Sequence, residues 1–438
     1  MGLLDTLLPN GRRWARVGDC FEVTRKPRGL NAAGHDTVPF VPMEAIPQGG
    51  HYEPRYDTRP GPQITSGTYF ERDDLLIAKI TPSFENGKQA WARGLPAPFG
   101  YATTEVIPLR PSASGNDRRL LFFYLLHPEI RSYVSERMEG STGRQRVPEQ
   151  VLLDLPYPEL PPDEQRPIAD ALEHITRQIE LEERSARTAQ ALKRATMREL
   201  FMHGLRGEAQ KETGIGLVPK NWHVVPLGSL GKIGNGSTPK KTVPAYWNGG
   251  TFPWLTSAKV YDREIETADQ FVTDIALAEC HLPRVRPGAV LMAITGQGKT
   301  LGHCAVLKLE ASISQHVAYL QTDTEQADPG FVRGYLETQY EYLRQVASGG
   351  GSTKGALTCA FLRDLPVPLP PTLDEQREIV TILDTLDRKI SLHRQKRSVL
   401  EELFQSLLHK LMTGDISITD LDLSVLSSAS THREEVAV

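Results

Sequence analysis

Cysteine is scarce, no apolar run is long, and positive charge is not in excess; each shortage removes a class of protein. Four cysteines (Cys20, Cys280, Cys304, Cys359) stand far apart without a CxxC pair. That excludes a disulfide framework. Cys280–His281 and His303–Cys304 are the pairs a zinc site would draw on, but structural zinc ligands usually come two to four residues apart. Buried free thiols are the expectation. No stretch approaches the ~18 uninterrupted apolar residues of a membrane span. The opening, Met1 to Trp14, lacks the basic-then-apolar order of a secretory signal, so a cytoplasmic protein without membrane partners is expected.

The formal net charge is −4. Proteins that grip DNA unaided are usually basic, because counterion release from phosphates drives their affinity. The balance argues against a strong independent DNA binder and admits a reader whose partners bring the positive charge. Catalytic signatures are also missing. There is no Asn-Pro-Pro-aromatic methyltransferase motif, no HExxH, and no Glu-x-Lys nuclease element near Asp73 and Asp74.

What is present is a repeat. Asp154-Leu155-Pro156, a proline-rich run and Asp163-Glu164-Gln165-Arg166 return as Asp364-Leu365-Pro366, a proline-rich run and Asp374-Glu375-Gln376-Arg377. Upstream, Gly140-Ser141-Thr142 matches Gly351-Ser352-Thr353. Further upstream, Leu75 to Thr81 resembles Val290 to Thr295, followed by Gly87-Lys88 and Gly298-Lys299. The unit is half the chain, too long for a solenoid and right for a duplicated domain plus helix.

Behind each Asp-Glu-Gln-Arg lies a helical pattern. Ile379, Leu383, Leu386, Ile390, Leu400, Phe404, Leu407 and Leu411 follow four-three spacing, with His393 and Arg397 in register between them. That spacing is a heptad seam. Ile168, Leu172, Ile175 and Ile179 start the same seam in the first copy. It weakens through Ala186 and Ala189 before Met197, Leu200 and Phe201. Asp163 and Asp374 are the expected N-caps, and Gly204 and Gly414 the expected C-terminal stops. Two such helices in one chain are expected to pair, antiparallel if a pseudo-twofold relates the repeats. The acidic residues of each Asp-Glu-Gln-Arg therefore read as capping and dipole groups, not catalytic ones. Apolar runs at Leu75–Ile80 and Val290–Ile294 read as buried strands, and Arg119–Leu126 and Phe331–Leu336 as helices.

The whole pattern resembles the specificity subunits of type I restriction–modification systems. It is carried by the two Asp-Leu-Pro…Asp-Glu-Gln-Arg stretches with a long helix behind each. The opening Gly214-Ile215-Gly216-Leu217-Val218-Pro219-Lys220-Asn221-Trp222 before Val225-Pro226-Leu227-Gly228 adds to it, and so do the Gly-Ser-Thr loops. Gly11-Arg12-Arg13-Trp14-Ala15-Arg16-Val17-Gly18-Asp19 matches that opening only in part. The resemblance implies a mixed α/β (α+β) fold with two target-recognition domains joined by two long antiparallel coiled-coil helices, an internal pseudo-twofold repeat. The domains are expected at residues 1–160 and 209–371, the helices at 161–208 and 372–414, and a mobile tail at 415–438. It further implies a non-catalytic chain that reads a split site on double-stranded DNA. The helices would set the gap and dock two methyltransferase subunits, joined by restriction–translocase subunits. S-adenosylmethionine, ATP and magnesium would then sit on those partners, and none on this chain. Alternatives are a specificity-like subunit of another methylation or phage-defence assembly, and a nucleotide-dependent enzyme.

The last alternative rests on Gly296-Gln297-Gly298-Lys299-Thr300, a loose phosphate-loop pattern. The following residues read as a strand, not as the helix such a loop requires, so a hairpin turn is expected. On a DNA-facing turn, Thr295, Gln297 and Lys299 suit base or phosphate contacts. By residue chemistry and loop position, Lys79, Thr81, Lys88, Arg144 and Arg146 are candidates in the first domain. Lys240, Lys241, Lys259 and Lys354 join those of the second. Arginine can read guanine with two parallel hydrogen bonds, while lysine acts as a point charge on phosphate.

Overall fold

The computed structural model describes residues 13–49, 52–113, 115–141, 143–296, 299–349 and 355–418. The expected tail falls almost wholly outside them. The chain divides into two compact units, Met1–Arg184 with Arg394–Val438, and Ser185–His393. The division runs through both long helices, so each unit holds one globular region and half of each helix. The sequence boundaries, by contrast, fall at helix ends, because they follow chain order and not packing.

In the first unit the chain arrives on β1 (Trp14–Arg16) and leaves on β10 (Pro156–Pro158), which pair antiparallel. Between them lie two four-stranded sheets. One has the order β2 (Phe21–Val23), β9 (Val106–Pro111), β6 (Leu75–Ala78), β7 (Gln89–Trp91). The other has β4 (Asp57–Pro60), β3 (Thr37–Val41), β8 (Phe99–Ala102), β5 (Thr68–Glu71). All four residues of β6 are buried. Covered on both faces, the strand is continuously apolar instead of alternating. A helix, α1 (Arg118–Tyr124), buries Leu120 to Tyr124 in the core.

The second unit repeats this topology. Strands β13 (His223–Pro226) and β22 (Pro366–Leu369) pair where β1 and β10 do. The order β14 (Gly231–Asn235), β21 (Val317–Thr322), β18 (Ala289–Ala293), β19 (Cys304–Leu307) copies the first sheet, and β16 (Glu264–Ile265) is added at its edge. The order β17 (Gln270–Val272), β15 (Phe252–Leu255), β20 (Ser312–Ile313) copies three strands of the second sheet. The copy extends to pairing sense: β3 with β8 and β15 with β20 are both parallel.

The long helices are α2 (Pro162–His203), 42 residues, and α3 (Leu373–Thr413), 41 residues. Each is about 60 Å long at 1.5 Å per residue. In the first unit, Ile168, Leu172 and Ile175 from the start of α2 share one core with Phe404, Leu408, Leu411 and Met412 from the end of α3. In the second, Met197, Leu200 and Phe201 from the end of α2 share a core with Ile379 and Leu383 from the start of α3. Start meets end in both, so the helices run antiparallel. Of the remaining seam residues, Ile390 is buried, and Ile179, Leu386, Leu400 and Leu407 are half-buried. The buried stripe at the end of α3 includes Leu408 and Met412 as well as the seam positions, because it faces a domain as well as a helix.

The helix stops stand where expected: Gly204 (φ +68°) and Gly414 (φ +83°) take the left-handed conformation that terminates a helix. The N-caps do not. Asp163 and Asp374 lie within the first turns, where their charge complements the helix dipole. Thr372 does the capping of α3, its Oγ1 accepting from Glu375 N at 3.3 Å. Among the described residues, no helix is long and apolar enough to cross a membrane.

Candidate nucleic-acid interface

The rest of each repeated motif is scaffold. Gln165 and Gln376 are buried (4% and 1% exposed). The Oε1 of Gln165 accepts from Asp117 N, and that of Gln376 from Asp328 N, both at 2.8 Å. Asp117 caps α1, and Asp328 caps the equivalent helix Pro329–Thr338. The Tyr124 hydroxyl donates to the Pro156 carbonyl, and the Tyr335 hydroxyl to that of Pro366 at 2.9 Å. Trp222, fully buried, donates from Nε1 to Glu375 Oε1 at 2.8 Å. Strand register puts Trp14 opposite Pro158 and Val224 opposite Pro368, so Trp14 occupies the place of Val224, not that of Trp222.

Ion pairs pin the helices to the domains. Arg119 meets Asp117, Asp170 and Glu173 at 2.6, 2.5 and 2.9 Å. In the second unit, Lys193 meets Glu337 and Asp387 at 2.6 and 2.8 Å, and Arg333 meets the same two at 3.1 and 3.3 Å. Arg263 meets Asp387 at 3.2 Å, and also Asp384.

At the end of the central sheet, three segments converge in each domain. In the first, Lys79 N donates to Glu105 O at 2.9 Å, Val147 N to Lys79 O at 2.8 Å, and Thr81 N to Gln145 O at 3.0 Å. In the second, Ile294 N donates to His316 O at 3.0 Å, Leu357 N to Ile294 O at 2.8 Å, and Gly296 N to Gly355 O at 3.3 Å. The three segments thus form the same edge twice. The register corrects one equivalence: Ile80 bridges Arg146 as Thr295 bridges Ala356. Ile80, not Thr81, stands in the place of Thr295, and a one-residue slip in a strand reverses the facing of the side chain.

The two edges differ in chemistry. In the first domain, Arg146 donates from Nε and Nη2 to the two Glu105 carboxylate oxygens at 2.8 and 2.7 Å. These bonds hold the Glu105 carboxyl below its ordinary range. In the second domain, Ala356 and His316 stand at the corresponding places. Thr295 Oγ1 hydrogen-bonds His316 Nδ1 at 2.5 Å, and Gln315 lies exposed beside it. Guanidinium, carboxylate, hydroxyl, amide and imidazole groups are all suited to base edges, and different sets suit different bases.

The other candidates scatter. Arg144 is exposed in the turn closed by its N–H to the Ser141 carbonyl at 2.9 Å. Thr81 is half-buried and donates to Glu85 at 2.9 Å. Lys88 is turned inward, its Nζ on the Met43 carbonyl at 2.9 Å. Lys259 is held by Asp269 at 3.0 Å and Asp262 at 3.7 Å. Lys240 and Lys241 are exposed on a loop that two tryptophans anchor. Trp254 Nε1 donates to Ser237 O and Trp247 Nε1 to Lys240 O, both at 3.1 Å. Lys299 is exposed in the β18–β19 hairpin, its carbonyl accepting from the Tyr340 hydroxyl at 2.6 Å. Gln297 and Lys354 lie outside the described residues.

Because Thr300 leads into strand β19 and not a helix, the Gly-Lys-Thr segment has no helix N-terminus for a phosphate. Cys280 and Cys304 lie in separate apolar clusters, and the His303 ring packs, tilted, between Tyr261 and Tyr340. Among the described residues, no group of three or more His, Cys, Asp or Glu is placed to hold a metal ion.

Sequence reading passed over Thr103–Glu105 and Gln315–His316. A signal was available: Ala102-Thr103-Thr104-Glu105-Val106 and Ile313-Ser314-Gln315-His316-Val317 are both hydroxyl-bearing polar breaks between apolar residues.

Residues 219–402 match the family described as the type I restriction modification DNA specificity domain. The chain is 30% identical over 214 residues to the type I restriction enzyme MjaIX specificity subunit of Methanocaldococcus jannaschii, a match covering 47% of each chain. It is 25% identical over 355 residues to the putative MjaX specificity subunit of the same organism, covering 79% of each. Thus it spans about half the length of the first relative and most of the second. Among solved structures, the fold matches the type I restriction–modification S subunit of M. genitalium at TM-score 0.57 and 15% identity. That match covers 92% of this chain and 97% of the other. A chain from work on complex assembly and conformational transition of the type I R-M system matches at TM-score 0.56 and 21% identity, covering 93% and 99%. Residues 219–402 thus match the type I restriction modification DNA specificity domain, and the chain, similar in sequence to type I specificity subunits, shares the fold of the M. genitalium S subunit.

Proposed function

We propose that this chain chooses the DNA on which a type I complex acts, each domain reading one half of a split site. The observation that carries the reading is the edge built twice from equivalent segments but furnished with different side chains. Two readers on one chain turn two weak contacts into one strong one. The chain itself performs no chemistry in this reading. Partner methyltransferase subunits hold S-adenosylmethionine, and restriction–translocase subunits hold ATP and magnesium, all in the cytoplasm.

Exposed apolar residues on the helices support partner docking. Val399 and Leu403 are 63% and 48% exposed in the first unit, and Leu192 and Leu392 are 53% and 49% exposed in the second. Apolar side chains at that exposure on a helix are suited to cover by another helix.

The test is co-purification from the host with a methyltransferase subunit, followed by methylation-site sequencing of host DNA. Adenine methylation at one split motif, lost on deletion of this chain, is the expected result. Absence of a complex together with unchanged methylation would refute the reading.

A further inference from the structure

The duplicated domains differ at one place in a way that side-chain substitution alone does not describe. In the second domain, the segment leaving β14 lies directly on β20. Ser237 N donates to the Ile313 carbonyl at 3.1 Å, and a β-carbon on Gly236 would meet that oxygen at 1.8 Å. The two backbones touch, and only glycine fits. Strand register puts Lys26 in the place of Gly236, and Ala102 in the place of Ile313. In the first domain, however, Ala102 and Tyr101 are partnered by the extra strand β5, through Thr68 and Tyr69. The segment leaving β2 therefore stands off, and a cleft of about 450 Å³ opens between it and β5.

The lining of this cleft is one-sided. Arg25 and Lys26 form one wall, Thr65, Ser66 and Thr68 the other, with Asn31 beside them; no Asp or Glu is among the lining residues. Arg25 is clamped by a two-bond contact to Glu149. Lys26 is exposed. Glu149 lies three residues beyond Arg146, and Tyr101, on the cleft floor, lies four before Glu105. The cleft and the Arg146–Glu105 edge are thus reached by the same short segments.

We propose that this cleft binds the DNA sugar–phosphate backbone beside the first half-site, a contact the second domain lacks. It rests on the reading of the chain as a DNA specificity subunit. The chemistry favours backbone over base. A lysine is a point charge suited to phosphate, and hydroxyl and amide groups donate to phosphate oxygens. No carboxylate lines the cleft to repel a phosphate. Lys26 supplies the charge; Ser66, Thr65 and Asn31 supply orienting donors.

The test uses the full chain with the methyltransferase subunit that co-purifies with it, and a duplex bearing the split motif found by methylation sequencing. Binding is measured against salt for wild type, Lys26→Gln and Lys26→Arg. One neutral methylphosphonate is walked along the first half-site. For Lys26→Gln the expected result is a fall of about one in the log–log salt slope and a roughly three- to tenfold loss of affinity near physiological salt. The methylated sequence should stay the same, and Lys26→Arg should keep the wild-type slope. In wild type, one or two adjacent methylphosphonates should weaken binding, and Lys26→Gln should be insensitive to them. An unchanged slope and methylphosphonate profile, with sequence-selective binding intact, overturns this inference alone. A complex that binds no duplex selectively overturns the functional reading and this inference with it.

Discussion

A buried primary amide is tolerated only when its oxygen and nitrogen are both satisfied, and Gln165 and Gln376 meet that condition alike. Gln376 accepts from Asp328 N and donates to Gln326 O at 3.2 Å; Gln165 accepts from Asp117 N and donates to Leu160 O at 2.7 Å. Gln376→Ala leaves Asp328 N and Gln326 O unpaired. It should cost about 1–3 kcal/mol, read as a lowered thermal midpoint, with Gln165→Ala behaving alike. His127 makes a second residue-scale prediction. It is 4% exposed, its Nδ1 accepts from Glu129 N at 3.3 Å, and its Nε2 faces His409 Nδ1 at 3.1 Å. Burial, helped by the neighbouring imidazole, pushes its pKa down to about 4. The folded state therefore holds it neutral, whereas the unfolded chain protonates it near the ordinary value of about 6.5. Its contribution is complete above pH 6.5 and is lost as pH falls from there toward 4, on the order of 3 kcal/mol in all. The thermal midpoint of His127→Asn should fall less steeply than that of wild type over this range; equal slopes would reject the assignment. Single residues were the hardest features to read in advance. Lys88 and Lys259 look like surface cations in sequence, but a carbonyl from Met43 and carboxylates from Asp262 and Asp269 hold them. Partners of that kind are set by loop geometry, which carries no periodic signal.

At the scale of elements, periodicity made the helices legible, and glycine chemistry made their ends legible. Ile168, Leu172, Ile379 and Leu383 show a four-residue spacing because one face of a helix must be buried, and any such face writes the same pattern. Gly204 and Gly414 are readable because few other residues tolerate positive φ. The capping residues were misassigned because Asp, Thr and Pro all compete near a helix N-terminus, and sequence does not say which backbone N–H each side chain reaches. The strand cores were likewise plain, β6 and β18 being apolar throughout, while the pairing of their ends was not. Aligning Thr81 with Thr295 matched letters; the bridges to Arg146 and Ala356 match Ile80 to Thr295 instead. The clustering of Glu105 with Arg146, 41 residues apart, depends on that register. It was therefore out of reach until the strands were paired.

For the whole molecule, the ruler idea can be tested without disturbing either unit. Lys193, anchored to Glu337 and Asp387, is a poor place to lengthen α2. The junctions Arg184–Ser185 and His393–Arg394, where the compact units divide, are better. One heptad inserted at both junctions adds ~10 Å to each helix, about three base pairs at 3.4 Å per step. Methylation sequencing should then show both half-sites unchanged and the gap between them longer by about that amount. An unaltered gap would refute the ruler. The pairing of β1 with β10, and of β13 with β22, has a consequence for how such proteins change over time. Each domain begins and ends on two strands zipped side by side, so its two chain ends lie together like the pins of a plug. A recombination event that swapped everything between those strands would deliver a complete new reader onto the old helices. The glutamine and proline-carbonyl contacts that seat it recur in both halves. Preference for a new DNA sequence can then arrive by exchange of a cassette in one step, without a succession of point changes through non-reading intermediates.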